Sequence, residues 1–482
     1  MDDTTTSRNR FLDKLEMTRS KLEMTRSKLE MTRRMERRDF IKISGAGALA
    51  LGAAAVGCAP RKAAQMAEEG TGEMVYRINP ANGDRVSLLG FGCMRWPMID
   101  VDGERVIDQE AVNEMVDYAI EHGINYFDTS PAYLQGQSEK AAGIALSRHP
   151  RDKYFIATKL SNFNNQTPEA SLQMYKDSFE QLKTDYFDYY LLHAIGSGGV
   201  AAFNQRYVEN GMMEFLVKER EAGRIRNLGF SFHGKPSEFD ELIALHDKGE
   251  YHWDFVQIEM NYVDWTHADA RNANAIYLYN ELDKRGIPIV IMEPLLGGRL
   301  ASVPDDIAAE MKAREPDKSI ASWAFRFCGT YPRVLCTLSG MTNMDPLLDN
   351  LKTFTNFKPL TEEELAFLEE MVFKMKAYPT VNCTDCKYCM PCPWGIDIPG
   401  IFKHYNTAIQ EGRYPQTQDQ KDYQKLKRAY LVSYDRAIPT LRQADHCIHC
   451  GECLPHCPQS IPIPRELQRI NRFVEQLKQD TL

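Results

Sequence analysis

Between Val75 and Phe357 short apolar runs alternate with longer stretches whose apolar residues recur every three or four positions. The short runs are Leu88–Gly92, Asn125–Thr129, Phe155–Lys159, Asp188–His193, Asn227–Ser231, Phe255–Glu259, Pro288–Met292 and Val334–Ser339. Runs of this length read as buried strands, and stretches such as Glu110–His122, Pro168–Lys183, Ser237–His246, Asn274–Arg285 and Ser319–Phe327 read as amphipathic helices. Eight strand–helix units in succession predict an α/β fold, a closed (β/α)8 TIM barrel over residues 75–358. An open doubly wound sheet is the competitor, but no glycine-rich GxGxxG turn follows the first strand.

A charged stretch, Thr361–Lys376, follows the last unit, with Thr361 as N-cap and Glu364 completing a capping box. The boundary to a second domain, 359–482, is placed there. Upstream of the barrel the pattern breaks down. Lys-Leu-Glu-Met-Thr-Arg-Ser begins at Lys14, repeats at Lys21, and returns at Lys28 with Arg34 in its last place. One leucine per seven residues is too little for a coiled coil, so 1–34 is expected to be a disordered extension ahead of a start at Met31 or Met35. Residues 35–60 then read Arg37-Arg38-Asp39-Phe40, followed by an Ala/Gly-rich apolar run from Ile43 to Gly57.

That segment resembles a twin-arginine export signal, and its apolar run is too short and too glycine-rich for a permanent transmembrane helix. Cys58, after Ala55-Val56-Gly57, stands where a lipoprotein signal is cleaved. The expectation is a partnership with the export machinery, delivery to the periplasmic side, and a lipid anchor at Cys58. An uncleaved segment with an inert cysteine is the competing reading. Charge adds one exclusion. The net charge of −9 is spread through a chain that is 43% apolar, so no basic face is available for nucleic acid.

Cysteine placement changes the picture of the second domain. Of 12 cysteines, eight crowd between Cys383 and Cys457. The first set is Cys383-x2-Cys386-x2-Cys389-x2-Cys392-Pro393, and the second is Cys447-x2-Cys450-x2-Cys453-x3-Cys457-Pro458. Zinc also takes paired CxxC motifs, but a third cysteine at the same interval and a fourth before proline match the four-iron ferredoxin run. In that run the fourth cysteine serves the other cluster, so Cys383, Cys386, Cys389 and Cys457 would hold one [4Fe-4S] cluster. Cys447, Cys450, Cys453 and Cys392 would hold a second, with Cys392 one residue short of the usual gap. The halves repeat further: Cys392-Pro-Trp-Gly-Ile396-Asp-Ile398-Pro399 aligns with Cys457-Pro-Gln-Ser-Ile461-Pro-Ile463-Pro464, and the isoleucines would pack over the clusters. The helix-compatible insert between the quartets resembles the helical two-cluster ferredoxin modules of respiratory and anaerobic enzymes. His446, His449 and His456 are expected in solvent or outer-shell roles, and Cys93, Cys328 and Cys336 in the barrel core.

In the barrel, Asp128, Tyr133, Lys159 and His193 fall at or just past the ends of the second, third and fourth strands, where such barrels build active sites. A phenol is a weak acid near pH 10, and a neighbouring ammonium would lower that value. Asp128 would pair with Lys159, and His193 would orient a carbonyl oxygen. At these residues the chain resembles the aldo/keto reductases. The match lies in Tyr126-Phe-Asp128-Thr-Ser-Pro-Ala-Tyr133, Thr158-Lys159, Leu191-Leu-His193, Gly229-Phe-Ser231, Val256-Gln257 and Pro294-Leu-Leu-Gly297-Gly298. The resemblance implies hydride exchange between NAD or NADP and a small carbonyl or alcohol, with Tyr133 as proton donor. It places cofactor contacts at Ser231, Gln257, Pro294, Gly297, Gly298, Gly340 and Asn350. Three positions depart from the family: Phe232 replaces its asparagine, Met292 its stacking aromatic, and the loop from Gly340 carries no cation for an NADP phosphate.

The sequence thus supports an exported oxidoreductase fused to an electron-transfer module, with a redox partner protein as a further expectation. Two other readings stay open: an electron-carrier subunit whose barrel is a docking scaffold, and a reductase whose clusters only brace the fold. Nicotinamide moves two electrons and each cluster one, with no flavin motif to reconcile them. The segment Ala194–Gly211 beside His193 reads as a flexible, glycine-bearing loop.

Overall fold

The computed structural model describes residues 72–196, 198–268 and 272–482. The seven-residue repeat, the twin-arginine-like segment and Cys58 lie outside the described residues. A hairpin of β1 (Tyr76–Ile78) and β2 (Arg85–Ser87) opens the described chain. It caps the N-terminal end of the barrel, where Val86 enters the interior and Asp84 accepts a hydrogen bond from Tyr189 at 3.0 Å. After β3 (Leu89–Gly92) a second hairpin, β4 (Met98–Val101) with β5 (Glu104–Ile107), projects from the first loop. The remaining strands are β6 (Tyr126–Asp128), β7 (Phe155–Leu160), β8 (Phe187–Ile195), β9 (Ile225–Phe232), β10 (Phe255–Glu259), β11 (Ile289–Met292) and β12 (Val334–Ser339). They close in parallel with β3 as β3-β6-β7-β8-β9-β10-β11-β12. All eight barrel strands fall on the apolar runs of the sequence. The β4–β5 hairpin escaped that reading because its strands are short and largely exposed.

Inward-facing Tyr126, Tyr189, Leu191, Phe255, Val290 and Cys336 fill the barrel, and a larger core lies between strands and helices. Cys93, Cys328 and Cys336 are buried free thiols in those cores, as their apolar surroundings imply. Thr361 and Glu364 cap the helix Glu362–Lys376 reciprocally. That helix heads the second domain in sequence, yet Phe367, Leu368, Met371 and Val372 pack into the barrel core. The guanidinium of Arg326 ties it down, meeting Glu364 and Glu315 at 2.7 Å each.

A separate core begins at Val381, where the helices Ile398–Gln410, Tyr423–Ala437 and Ile463–Gln479 pack together. Ile396, Ile398, Ile461 and Ile463 are buried there, with six of the eight clustered cysteines against the same core. No helix among the described residues is long and apolar enough to cross a membrane. The segment after β8 is not the featureless loop expected. It coils into Gly199–Phe203 and a wider turn at Asn204–Val208, because buried Arg206 and Tyr207 fasten it to the barrel.

Behind the active face, Glu139 is buried between Thr158 and Ser178, whose hydroxyls donate to it at 2.5 and 3.2 Å. Burial pushes its carboxyl up to about 7. The folded state therefore holds a proton there that the unfolded chain releases near pH 4.5, and stability falls as pH rises between the two values. Glu139→Gln is expected to gain on the parent protein by about 2 kcal/mol between pH 5.5 and 8 in denaturant titrations. Equal pH dependence in both proteins would mean that the carboxyl does not titrate in this window.

Candidate active site and cluster quartets at the barrel mouth

The C-terminal ends of β6, β7 and β8 bring three of the four expected catalytic side chains together, and the loop after β6 returns Tyr133 over them. Lys159 is fully buried, and its ammonium donates to Asp128 Oδ1 at 2.6 Å, Asp128 Oδ2 at 2.7 Å and Thr129 O at 2.8 Å. Burial alone drives the pair towards neutrality, raising the Asp128 carboxyl and lowering the ammonium, while their mutual contact opposes both shifts. The strained turn at Leu134 and Gln135, both left-handed, holds the Tyr133 ring with its face 4.9 Å from Lys159 Nζ.

One expectation is corrected here. Tyr133 is raised well above 10, first by burial and then by the charge of Asp128, with Tyr388 next. Burial outweighs the ammonium of Lys159, which is paired with Asp128 and lies over the ring face. Tyr133 is thus held as a neutral phenol, able to give its proton only to an oxygen that gains negative charge.

His193 stands edge-on to Tyr133, ring centroids 5.8 Å apart. Burial and the cations Lys159 and Arg206 hold it well below its ordinary value, so the ring is neutral at physiological pH. Nδ1 pairs with the Ser161 hydroxyl at 2.6 Å and lies 3.3 Å from that of Ser130. Arg206 donates to His193 O at 2.8 Å, and Tyr207 joins the His193 N–H to Leu160 O. These supports gave no signal in the sequence, since they come from the segment read as loop.

The proposed cofactor contacts line the neighbouring strands. Ser231 and Gln257 are paired in register on β9 and β10. The Ser231 hydroxyl is engaged by Ala194 N at 2.8 Å, whereas Gln257 Oε1 is buried without a partner and would suit the carboxamide of a nicotinamide. Asn350 is buried against Ser339, and Gly340 packs on Arg95. Pro294, Gly297 and Gly298 form the loop after β11, and here the second domain intervenes. A Cβ on Gly297 would meet Thr384 Cα at 2.4 Å. Arg95 donates to Thr384 O at 2.5 Å, and Arg299 reaches Asn382 at 2.8 Å and Thr380 at 2.6 Å. Gln459 closes on the Glu259 carboxylate at 2.9 and 3.1 Å. Between His233, Glu259, Asn382 and Gln459 lies a cavity of about 20 Å³, room for one water. The nicotinamide end has a partner in Gln257, and the seated domain lies against the loop that would run beside the rest of a dinucleotide.

The eight clustered cysteines are all free thiols. Cys457 bears electrostatically on Cys383, Cys386 and Cys389, and Cys392 on Cys447 and Cys453, the crossed grouping the spacing implies. Cys389 also feels Cys453, so the two quartets adjoin. Among the described residues no three His, Cys, Asp or Glu side chains gather tightly enough for a single metal ion. The donor set instead suits clusters, with backbone N–H groups aimed at sulfur: that of Asp385 at Cys383, Tyr388 at Cys386 and His449 at Cys447. The repeat extends to the backbone. Asp385 and His449 are both left-handed at φ 55° and 62°, as are Lys387 and Gly451 at 66° and 82°. His446, His449 and His456 are exposed. Tyr388, the repeat counterpart of exposed Glu452, turns into the barrel mouth, 6.3 Å from His193 and 6.2 Å from Phe163 between ring centroids.

Comparison with known proteins agrees with this division. Residues 88–372 match the model of the "Aldo/keto reductase family", and 382–462 that of a "4Fe-4S dicluster domain". The chain is 26% identical to an uncharacterized oxidoreductase, YqkF, of Bacillus subtilis, covering 59% of this chain and 92% of the relative. It is 25% identical to an L-galactose dehydrogenase of Arabidopsis thaliana, covering 61% and 93%. Among solved structures it is similar to the aldo-keto reductase AKR11C1 of Bacillus halodurans, 22% identical with a TM-score of 0.49 over 62% of this chain and 96% of that one.

Crossed ligation has a direct test. Cys457→Ser and Cys383→Ser would each lose about four of about eight irons per chain, and the double variant no more than either. Cys457→Ser with Cys447→Ser would lose nearly all. Iron and sulfide analysis with EPR of the reduced protein reads this; additive losses in the first pair would refute the crossing.

Proposed function

The chain belongs to the aldo/keto reductase family, and on that premise we propose that its barrel interconverts a small carbonyl and its alcohol with Tyr133 as the proton donor. It is an oxidoreductase with an iron–sulfur electron-transfer module. The observation that carries the proposal is the buried Lys159–Asp128 pair beneath Tyr133, with His193 edge-on to the same phenol.

A carbonyl oxygen seated between Tyr133 Oη and His193 gains negative charge as the carbon is reduced. Tyr133 gives its proton at that moment, and the ammonium below the ring stabilises the phenolate left behind. Neutral His193, its Nδ1 held by Ser161, orients the oxygen without competing as an acid. The two quartets, Cys383, Cys386, Cys389 with Cys457 and Cys447, Cys450, Cys453 with Cys392, are proposed to hold two [4Fe-4S] clusters, which supply single electrons when present. NAD or NADP is what the family implies, and Gln257 is the residue that would meet its carboxamide. Export through the segment from Arg37, with anchoring at Cys58, is proposed from sequence alone.

Tyr133→Phe is expected to lower carbonyl turnover by about 10²–10⁴-fold with little change in substrate affinity. Lys159→Met should approach the same loss. Steady-state kinetics on the anaerobically purified protein checks both, and an unaltered kcat in the tyrosine variant removes the proposed proton donor.

A further inference from the structure

The second domain does more than sit beside the active site; it occupies the approach to it. Thr384 lies on Gly297 with no room for a Cβ, Arg95 and Arg299 clamp the strip Thr380–Thr384, and Gln459 seals the side towards Glu259. The same strip begins the first cysteine run. Tyr388 links the two: its backbone N–H faces the sulfur of Cys386, and its ring stands among His193, Phe163 and Tyr133. The repeat makes this placement specific. Glu452, its counterpart in the second half, is exposed to solvent, so the aromatic side chain is not a requirement of the CxxC turn.

Building on the proposed carbonyl chemistry, we propose that with this domain seated the tetrad exchanges electrons with the first cluster across Tyr388, in place of a dinucleotide, and that its substrate is a planar conjugated carbonyl of the quinone type. An isolated ketone resists one-electron reduction, because its adduct is beyond the reach of iron–sulfur centres; a quinone takes up single electrons within their range. The side chains beside His193 are aromatic, Phe163 and Tyr388, and would meet a flat ring through their own faces and edges. The balance is quinone plus two electrons plus two protons giving hydroquinone. Each cluster gives up one electron and is oxidised by one. The oxygen at Tyr133 takes the phenolic proton, restored from water, and the second oxygen takes a solvent proton. The electrons are replaced by a one-electron carrier protein at the second quartet, where Cys450 and Ile448 are exposed.

The test uses the full chain with both clusters, prepared anaerobically. Calorimetry with NADH and NADPH should show no binding at micromolar concentrations. After reduction with dithionite and removal of its excess, menadione should restore the visible absorbance of the clusters rapidly. Tyr388→Leu should slow that restoration by about tenfold or more, while Tyr388→Phe keeps the parent rate. A quinone analogue should also shift the EPR signal of the reduced parent protein, and the shift should vanish in Tyr388→Leu. Iron content and circular dichroism verify that the variants are folded. Tight NADPH binding, with quinone reduced by NADPH while the clusters stay unchanged, would overturn the proposal and leave the Tyr133 role standing. A Tyr388→Leu protein as fast as its parent would overturn it as well. Loss of the proposed proton donor is read separately, by Tyr133→Phe.

Discussion

The mouth of this barrel is organised by one buried charge. An unpaired ammonium at full burial is unaffordable in free energy, so Lys159 has to be met by oxygen atoms, and Asp128 and the Thr129 carbonyl meet it at 2.6–2.8 Å. These partners come from adjoining strands, so the ion pair fixes the register at the end of β6 and β7, where Asp128 stands opposite Ala157. It also decides what Tyr133 can be. With the ammonium paired below and the phenol largely buried, the proton stays on oxygen until charge develops beside it. The site is thus built to respond to a substrate oxygen that becomes negative, not to supply a free phenolate.

The second domain answers a related constraint. Two cysteine runs each need a turn whose N–H groups point back at sulfur, and left-handed residues at matching positions, Asp385 with His449 and Lys387 with Gly451, achieve this. That demand is identical in both halves. What differs is the residue just before the third cysteine, Tyr388 in one half and Glu452 in the other. One quartet faces the barrel's aromatic pocket and the other faces solvent, so a symmetric repeat has become a directional device.

The barrel strands were legible because parallel strands buried on both faces read as continuous apolar runs. The tetrad was legible because strand ends place chemistry, and the quartets because spacing alone restricts what cysteines can ligate. Tertiary contact carried the rest. The helix Glu362–Lys376 showed its capping box in sequence, but its allegiance to the barrel depends on Phe367 and Met371 meeting residues far away in the chain. Arg206 and Tyr207 sit in a stretch whose glycines suggested a loose loop, and only the fold shows them gripping His193. Tyr388 carried a faint signal, the one aromatic in a cysteine run whose repeat counterpart is acidic. The expected lowering of Tyr133 failed because the sequence shows the nearby ammonium but not the depth of burial that outweighs it.

The helix that belongs to the barrel also explains how the second domain is held in place. A flexible linker would leave the cysteine runs to find the mouth by diffusion, with many orientations competing. Here the chain leaves the barrel core at Lys376, from a helix pinned by Arg326 to both Glu364 and Glu315. Only a short strip then separates that anchor from Cys383, and Arg299 holds two of its residues. The position of the first quartet is therefore set by the barrel's own packing, and the entropy of docking is met when the barrel folds. A domain fixed this firmly over an active site has to be part of its chemistry or else obstruct it. The aromatic ring it inserts beside His193 favours the former.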